Sequence, residues 1–309
     1  MNDPATNEAA TPTTSRSEAF AGVARGPFLA LPVALVICGG GAAAFAGVFS
    51  WDATILALLG LVALHAAVNT FNEVSDYRTG IDLETRRTPF SGGSGTLLAG
   101  KISPGAALAF GIVNASVGLA VGVLFLLRVG WVLLPIVVTG AFCVLAYTQL
   151  LARIGLGEIA AGLGLGTLPV LGTVLVQEGT IGPAAVAASV PAFFMTFNLL
   201  LLNEFPDEHA DRKGGRRNLV SILGRRPAAI VYAIAALMTP ASVIASVVIG
   251  VLPALALIAV IPSLVLLGPL RWAFGDPGTE VPIPALGANV IWNLATNAVL
   301  GAALAIAAG

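Results

Sequence analysis

The sequence predicts an all-α integral membrane protein, a bundle of nine transmembrane helices around a central cavity, and three observations carry that prediction. Of its 309 residues, 57% are hydrophobic and only 10% are charged, against about 25% charged in an ordinary soluble domain. Apolar segments recur at lengths near the roughly 20 helical residues that cross a bilayer. The Lys and Arg residues fall almost entirely on one side of those segments. So little charge argues against a soluble enzyme, a nucleic-acid binder or a disordered protein. A net charge of −1 leaves no basic footprint over the whole chain, so the placement of charge must carry any function it has.

Residues 1–26 are polar, rich in Ala, Thr and Ser, and read as a disordered cytoplasmic tail. They lack the order of a secretory signal. The remainder, 27–309, reads as one transmembrane domain. Its apolar segments lie at about 28–49, 53–73, 104–127, 130–152, 158–176, 182–204, 227–249, 251–270 and 285–307. Only Gly250 and Pro253 punctuate the seventh and eighth, so counts of eight or ten stay open. With the N-terminus inside, fourteen of the fifteen Lys and Arg residues fall on the cytoplasmic side of an inner membrane, and only Arg128 lies opposite. Cys38 and Cys143 sit inside apolar runs and offer no disulfide framework or thiolate metal site.

Two cytoplasmic connections, about 74–103 and 205–226, are long and hold both signs of charge. At its start the first reads Asn72-Glu73-Val74-Ser75-Asp76-Tyr77-Arg78-Thr79-Gly80-Ile81-Asp82, and the second reads Asn203-Glu204-Phe205-Pro206-Asp207-Glu208-His209-Ala210-Asp211. Both begin Asn-Glu-x-x-Asp and add an Asp downstream. Asn203, Asp207 and Asp211 are spaced by four, which on a helix places them along one face about 6 Å apart. Asn69, Asn72 and Asp76 form a similar stripe, with His65 one turn deeper. The duplication suggests two pseudo-equivalent halves meeting at one cavity.

Carboxylates clustered at a membrane surface repel one another unless a cation sits between them. Mg²⁺ suits oxygen ligands and is typically completed by water and substrate phosphates. Arg78, Arg87, Lys213, Arg216 and Arg217 are placed to bind the remaining phosphate charge. Snorkelling at helix ends explains any one of these charges equally well. It does not explain two matched segments.

The paired segments resemble those of the UbiA superfamily of intramembrane prenyltransferases, whose motifs are Asn-Asp-x-x-Asp-x-x-x-Asp and Asp-x-x-x-Asp. Asp207 and Asp211 match the second fully. The first departs twice: Glu73 replaces the usual Asp, and Gly80 stands where an acid belongs, the acid being displaced to Asp82. The stretch from Asp76 to Asp82 is similar to the menaquinone-pathway branch, the dihydroxynaphthoate prenyltransferases. So are Arg87-Thr88-Pro89-Phe90-Ser91-Gly92-Gly93-Ser94-Gly95, Gly155-Leu156-Gly157-Glu158 and Leu168-Pro169-Val170-Leu171-Gly172-Thr173. The resemblance covers about residues 27–225.

It implies a UbiA-like bundle in which a polyprenyl diphosphate lays its tail among apolar helices and its head between the acidic segments. There, two Mg²⁺ ions neutralise the departing diphosphate. An aromatic acceptor then attacks the allylic cation in a chamber kept poor in water. On that footing Asp76, Asp82, Asp207 and Asp211 are the expected catalytic Mg²⁺ ligands, assisted by Asn72 and Asn203.

His65 is either a contact for the acceptor or a packing residue, and Tyr147 either polarises a substrate or anchors at the interface. Ser91–Gly95 could offer backbone amides to phosphate or be a plain loop. Glu158 complements a helix dipole. His209 points about 100° off the face of its acidic neighbours and is excluded. Asn114, Asn289, Asn293 and Asn297 read as contacts between helices. A hydroxybenzoate or other aromatic acceptor, and a terpene cyclase without acceptor, keep the same metal site. A transporter is disfavoured, because its acids belong near mid-membrane in interrupted helices.

Overall fold

The computed structural model describes residues 15–309. Most of the polar tail, residues 1–14, lies outside the described residues. The rest of that segment differs from its reading as disordered: Arg16–Val23 form a helix, α1, closed by a capping box between Ser15 and Glu18. Its apolar residues explain the difference, since Ala19 and Val23 are buried against the bundle.

Eight helices among the described residues are long and apolar enough to cross a membrane, and a ninth apolar helix, Trp131–Ala146, is shorter. In chain order the principal helices are α2 (Ala30–Phe45), α3 (Trp51–Thr79), the one-turn α4 (Ile81–Glu84), α5 (Pro104–Val129) and α6 (Leu134–Ala146). A broken span follows, α7 (Gly157–Gly162) and α8 (Leu168–Glu178), joined through one π-helical turn at Leu163–Thr167. Then come α9 (Pro183–Lys213), the short α10 (Leu219–Leu223), α11 (Arg225–Val248), a 3₁₀ stretch over Ala254–Leu266 running into α12 (Leu267–Phe274), and α13 (Ile283–Ile306).

The chain carries apolar residues on all sides of these helices, as a bundle in lipid requires. Leu127 and Val248 remain 79% and 78% exposed on the outer surface. Inside, small residues let helices approach closely. The tightest approach joins α2 to α13: a methyl group on Gly41 would sit 2.0 Å from the Gly301 carbonyl oxygen, and one on Gly301 would sit 2.2 Å from that of Ile37. Polar side chains add contacts where helices cross. Asn198 donates to the Tyr232 carbonyl at 3.0 Å, Asn289 donates to that of Asn198 at 2.9 Å, and Tyr232 Oη donates to Asn289 at 3.1 Å. Asn114 serves differently, since it bonds only its own helix at the Phe110 carbonyl.

Both acidic segments lie further inside helices than the sequence suggests. α3 continues through Asp76 to Thr79, and α9 continues through Pro206 to Lys213. Gly80 explains the displaced acid of the first segment. It adopts the left-handed conformation (φ 78°) that ends α3, a conformation glycine takes without penalty. The chain then turns into α4, which returns Asp82 to a buried position.

Candidate functional site

At one end of the bundle α3, α4, α9 and the loops after α4 and α9 enclose a cavity of about 100 Å³. Asn72, Asp76 and Asp82 line it from the first acidic segment; Asn203, Asp207 and Asp211 line it from the second. Tyr147, Arg216 and Arg217 also reach it. Four residues read from the sequence as substrate contacts do not. Lys213 pairs with Glu84 at 2.9 Å on the surface. Arg87 is exposed and lies over Gly95. Arg78 lines a separate groove. His65 is buried on the wall of a larger apolar cavity. His209 lies outside the cavity, as its helical angle requires.

The two halves are joined electrostatically. Arg216 donates to Asp76 and, at 3.3 Å, to Asp211, while Asn218 donates to the other oxygen of Asp211 at 3.0 Å. Burial works against the charge of Arg216, but Asp76 and Asp211 more than offset it and hold its pKa above the usual arginine range. Asp82 shows the opposite balance. Burial, then the charges of Glu73 and Asp76, push its carboxyl up to about 6.

Glu73, the departure from the usual Asp, is fully enclosed and engaged with the loop. It accepts from the Ser94 amide and hydroxyl at 2.7 Å each and from Arg25 Nε at 3.0 Å. An Asp side chain is one methylene shorter. Glu73 therefore fastens Ser91–Gly95 over the cavity, where Ser91, Gly92 and Gly93 form part of the wall. The Ser94 amide is committed to Glu73 rather than offered to a phosphate.

Sequence reasoning missed Arg25, Glu204 and Asn218, which all line the cavity. Arg25 is one basic residue in a polar segment, and its partner lies 48 positions away. Glu204 stood in plain view as the second member of Asn-Glu-x-x-Asp, and its match with Glu73 was the signal. Glu158 is more than a helix-dipole partner: it is buried and accepts from the Leu219 amide at 2.6 Å, tying α7 to α10.

The donor set fits a hard cation. Asp82 Oδ2 and Asp207 Oδ1 are buried and accept no hydrogen bond, which leaves negative oxygens without a partner, one in each segment. Among the described residues, no three acidic, histidine or cysteine side chains converge on one point. Mg²⁺ does not need three, since one or two carboxylates are commonly completed by water and phosphate.

A second, apolar cavity of about 370 Å³ is walled by α3, α5, α6 and the broken span α7–α8. Both draw on α3, where Phe71 lines the apolar cavity and Asn72 the acidic one.

With this arrangement in view, residues 33–294 match the UbiA prenyltransferase family. The chain belongs to that family. As a UbiA-family prenyltransferase it is similar to curated relatives named 1,4-dihydroxy-2-naphthoate octaprenyltransferase. The protein of Mycobacterium tuberculosis is 28% identical over 87% of this chain and 91% of its own length. That of Bacillus subtilis is 25% identical over 55% of this chain, and the match spans only about half (54%) of that relative. Among solved structures, a UbiA homologue from Aeropyrum pernix superposes with a TM-score of 0.68 at 19% identity, over 89% of this chain and 97% of that one. A homologue from Archaeoglobus fulgidus, bound to GPP and Mg²⁺, gives 0.62 at 16% identity, over 93% and 99%. These structural likenesses establish the bundle as a UbiA fold.

Proposed function

We propose that this prenyltransferase moves a polyprenyl group from its diphosphate to a dihydroxynaphthoate within the membrane, the reaction of menaquinone biosynthesis. One observation carries the reading. Two matched acidic segments face one cavity, each with a buried carboxylate oxygen lacking a partner, and an apolar chamber lies along the same helix α3. The names of the curated relatives supply the acceptor.

Asp76 and Asp82 would hold one Mg²⁺ and Asp207 and Asp211 a second, with Asn72 and Asn203 beside them. Bound there, Mg²⁺ would contribute the positive charge that a departing diphosphate needs. Arg216 and Arg217, together with Arg25, are placed to take the remaining phosphate oxygens. The apolar chamber receives the tail and keeps water from the cation, with His65 on its wall. Tyr147 lines the same cavity as the acidic segments.

The test is a product assay in membranes, pairing one polyprenyl diphosphate with a panel of aromatic acids and measuring pyrophosphate and product mass. Prenylated naphthoquinol from dihydroxynaphthoate is the expected result. Product from hydroxybenzoate alone, or pyrophosphate release without any acceptor adduct, would overturn the acceptor. Both acidic segments are assigned to the cytoplasmic side on the fourteen-to-one charge split. Reporter fusions at residues 214–218 that respond on the far side would reverse that orientation.

A further inference from the structure

Arg78 follows Asp76 by two residues, so on a helix the two point about 200° apart. Arg78 consequently faces away from the acidic cavity, into a lateral groove of about 240 Å³ between α3, α5 and α6. Phe71, Ser75 and Arg78 form one stripe of α3 along this groove, opposite Leu108 of α5 and Val144 of α6. Arg78 is exposed and, among the described residues, makes no ion pair or side-chain hydrogen bond. The groove thus has an apolar floor, hydroxyl and amide groups at its rim and one uncommitted cation.

One hydrogen bond stands in the partition between the groove and the acidic cavity, while Phe71, Val144 and Leu145 are shared with the apolar cavity. Thr148, which lines the groove, donates to Asn72, which lines the acidic cavity. A molecule in the groove therefore lies against the partition of the diphosphate site. Size decides its class. An apolar cavity of about 150 Å³ accommodates benzene, so 240 Å³ has room for two fused rings.

We propose that this groove binds the aromatic acceptor, with Arg78 on its carboxylate and its rings between Phe71 and Leu108, one hydrogen bond from the diphosphate cavity. The proposal rests on the function given above and deepens it. Arg78 thereby serves the acceptor rather than the phosphate. The groove opens to the side, where Leu145 is 67% exposed, so an anionic lipid headgroup shares the charge and is the competing occupant that the vesicle arm below separates from the acceptor.

The test titrates 1-hydroxy-2-naphthoate by fluorescence against the purified full chain in neutral detergent, without metal or prenyl diphosphate, with 1-naphthol as the carboxylate-free comparison. Arg78→Gln should weaken naphthoate about tenfold, the scale of one charge-assisted hydrogen bond, and leave naphthol unchanged. Arg78→Lys should recover part of the loss. Leu108→Trp, which fills the groove without altering charge, should weaken both probes. All three variants should keep Mg²⁺-dependent binding of a prenyl thiodiphosphate, which reports an intact fold and site. Equal naphthoate affinity in wild type and Arg78→Gln overturns the proposal. So does displacement of naphthoate by phosphatidylglycerol but not phosphatidylcholine in vesicles, which would make the groove a headgroup site. The two readings fail separately. Transfer to naphthoates with an unchanged acceptor KM in Arg78→Gln removes the groove and keeps the function. Arg78-dependent naphthoate binding with no transfer to any aromatic acid removes the function and keeps the groove.

Discussion

The guanidinium of Arg216 donates to the carboxylate of Asp76 from 140 positions further along the chain. With its second bond, to Asp211, this one side chain neutralises an acid from each half of the bundle. Replacing it by Gln should leave two largely buried carboxylates facing each other. Removing one partner of such a pair costs about 3–5 kcal/mol. Arg216→Gln should therefore melt well below wild type in chelator, as followed by scanning fluorimetry in detergent, and regain part of the loss in Mg²⁺. An unchanged melting temperature in chelator would show that the two halves do not depend on it.

Asp76→Ala and Asp207→Ala each remove a negative oxygen from the proposed metal site. Turnover should fall about a hundredfold or more, the usual scale when an electrostatic stabiliser is lost. The protein should stay folded in the membrane, as judged by yield and size-exclusion profile. Near-normal turnover in either purified, Mg²⁺-saturated variant would remove that residue from the site.

Glu73→Ala should act through the loop. Without its three hydrogen bonds, Ser94 and Arg25 lose their shared acceptor. Hydrogen exchange over residues 91–97 should quicken, and KM for prenyl diphosphate should rise more than kcat falls. Glu73→Asp should show a milder form of the same change, because its carboxylate stops one methylene short. Unaltered exchange in both variants would mean that the loop is held by other contacts.

Proton and metal compete for Asp82. Its pKa of about 6 lies above that of a free Asp because burial, Glu73 and Asp76 oppose its charge. Ionisation of this group therefore works against the fold as pH rises from the ordinary Asp range through 6, and Mg²⁺ relieves that opposition. Mg²⁺-dependent binding of a prenyl thiodiphosphate should be nearly constant above about pH 7. It should weaken as pH falls below 6, by up to tenfold per unit for a single competing proton. Asp82→Asn should bind more weakly throughout and lose this step in an isothermal titration series. A step of equal size in Asp82→Asn would assign it to another group.

Much of the site was legible because a helix converts spacing into direction. Asn203, Asp207 and Asp211 recur every fourth residue, and all three reach the cavity. The same rule hid Arg78: grouped with Asp76 by its position in the motif, it points the other way. Arg25 was illegible for a different reason. Periodicity identifies a face but not its partner, and the bond from Arg25 to Glu73 depends on how the chain turns at a residue with φ 52°. The spans were legible from composition, since crossing a bilayer leaves little choice of residue. Their interruptions were less so: the π-helical turn at Leu163–Thr167 is marked by Pro169, which has no N–H for the Leu165 carbonyl, but that signal sits two residues past the turn, beyond a run in which small residues alternate with Leu.

The contact between Gly41 and Gly301 sets a schedule for biosynthesis. The two residues are 260 positions apart, so α2 leaves the ribosome long before its principal neighbour exists. During that interval the seam on α2 faces lipid or an insertion factor, and closing the bundle waits for synthesis to reach α13. A methyl group at either glycine would spare the insertion of every helix and block only this final closure. The damaged product would be full-length and embedded yet open along one side, and surveillance in the membrane would have to recognise it by that exposed seam.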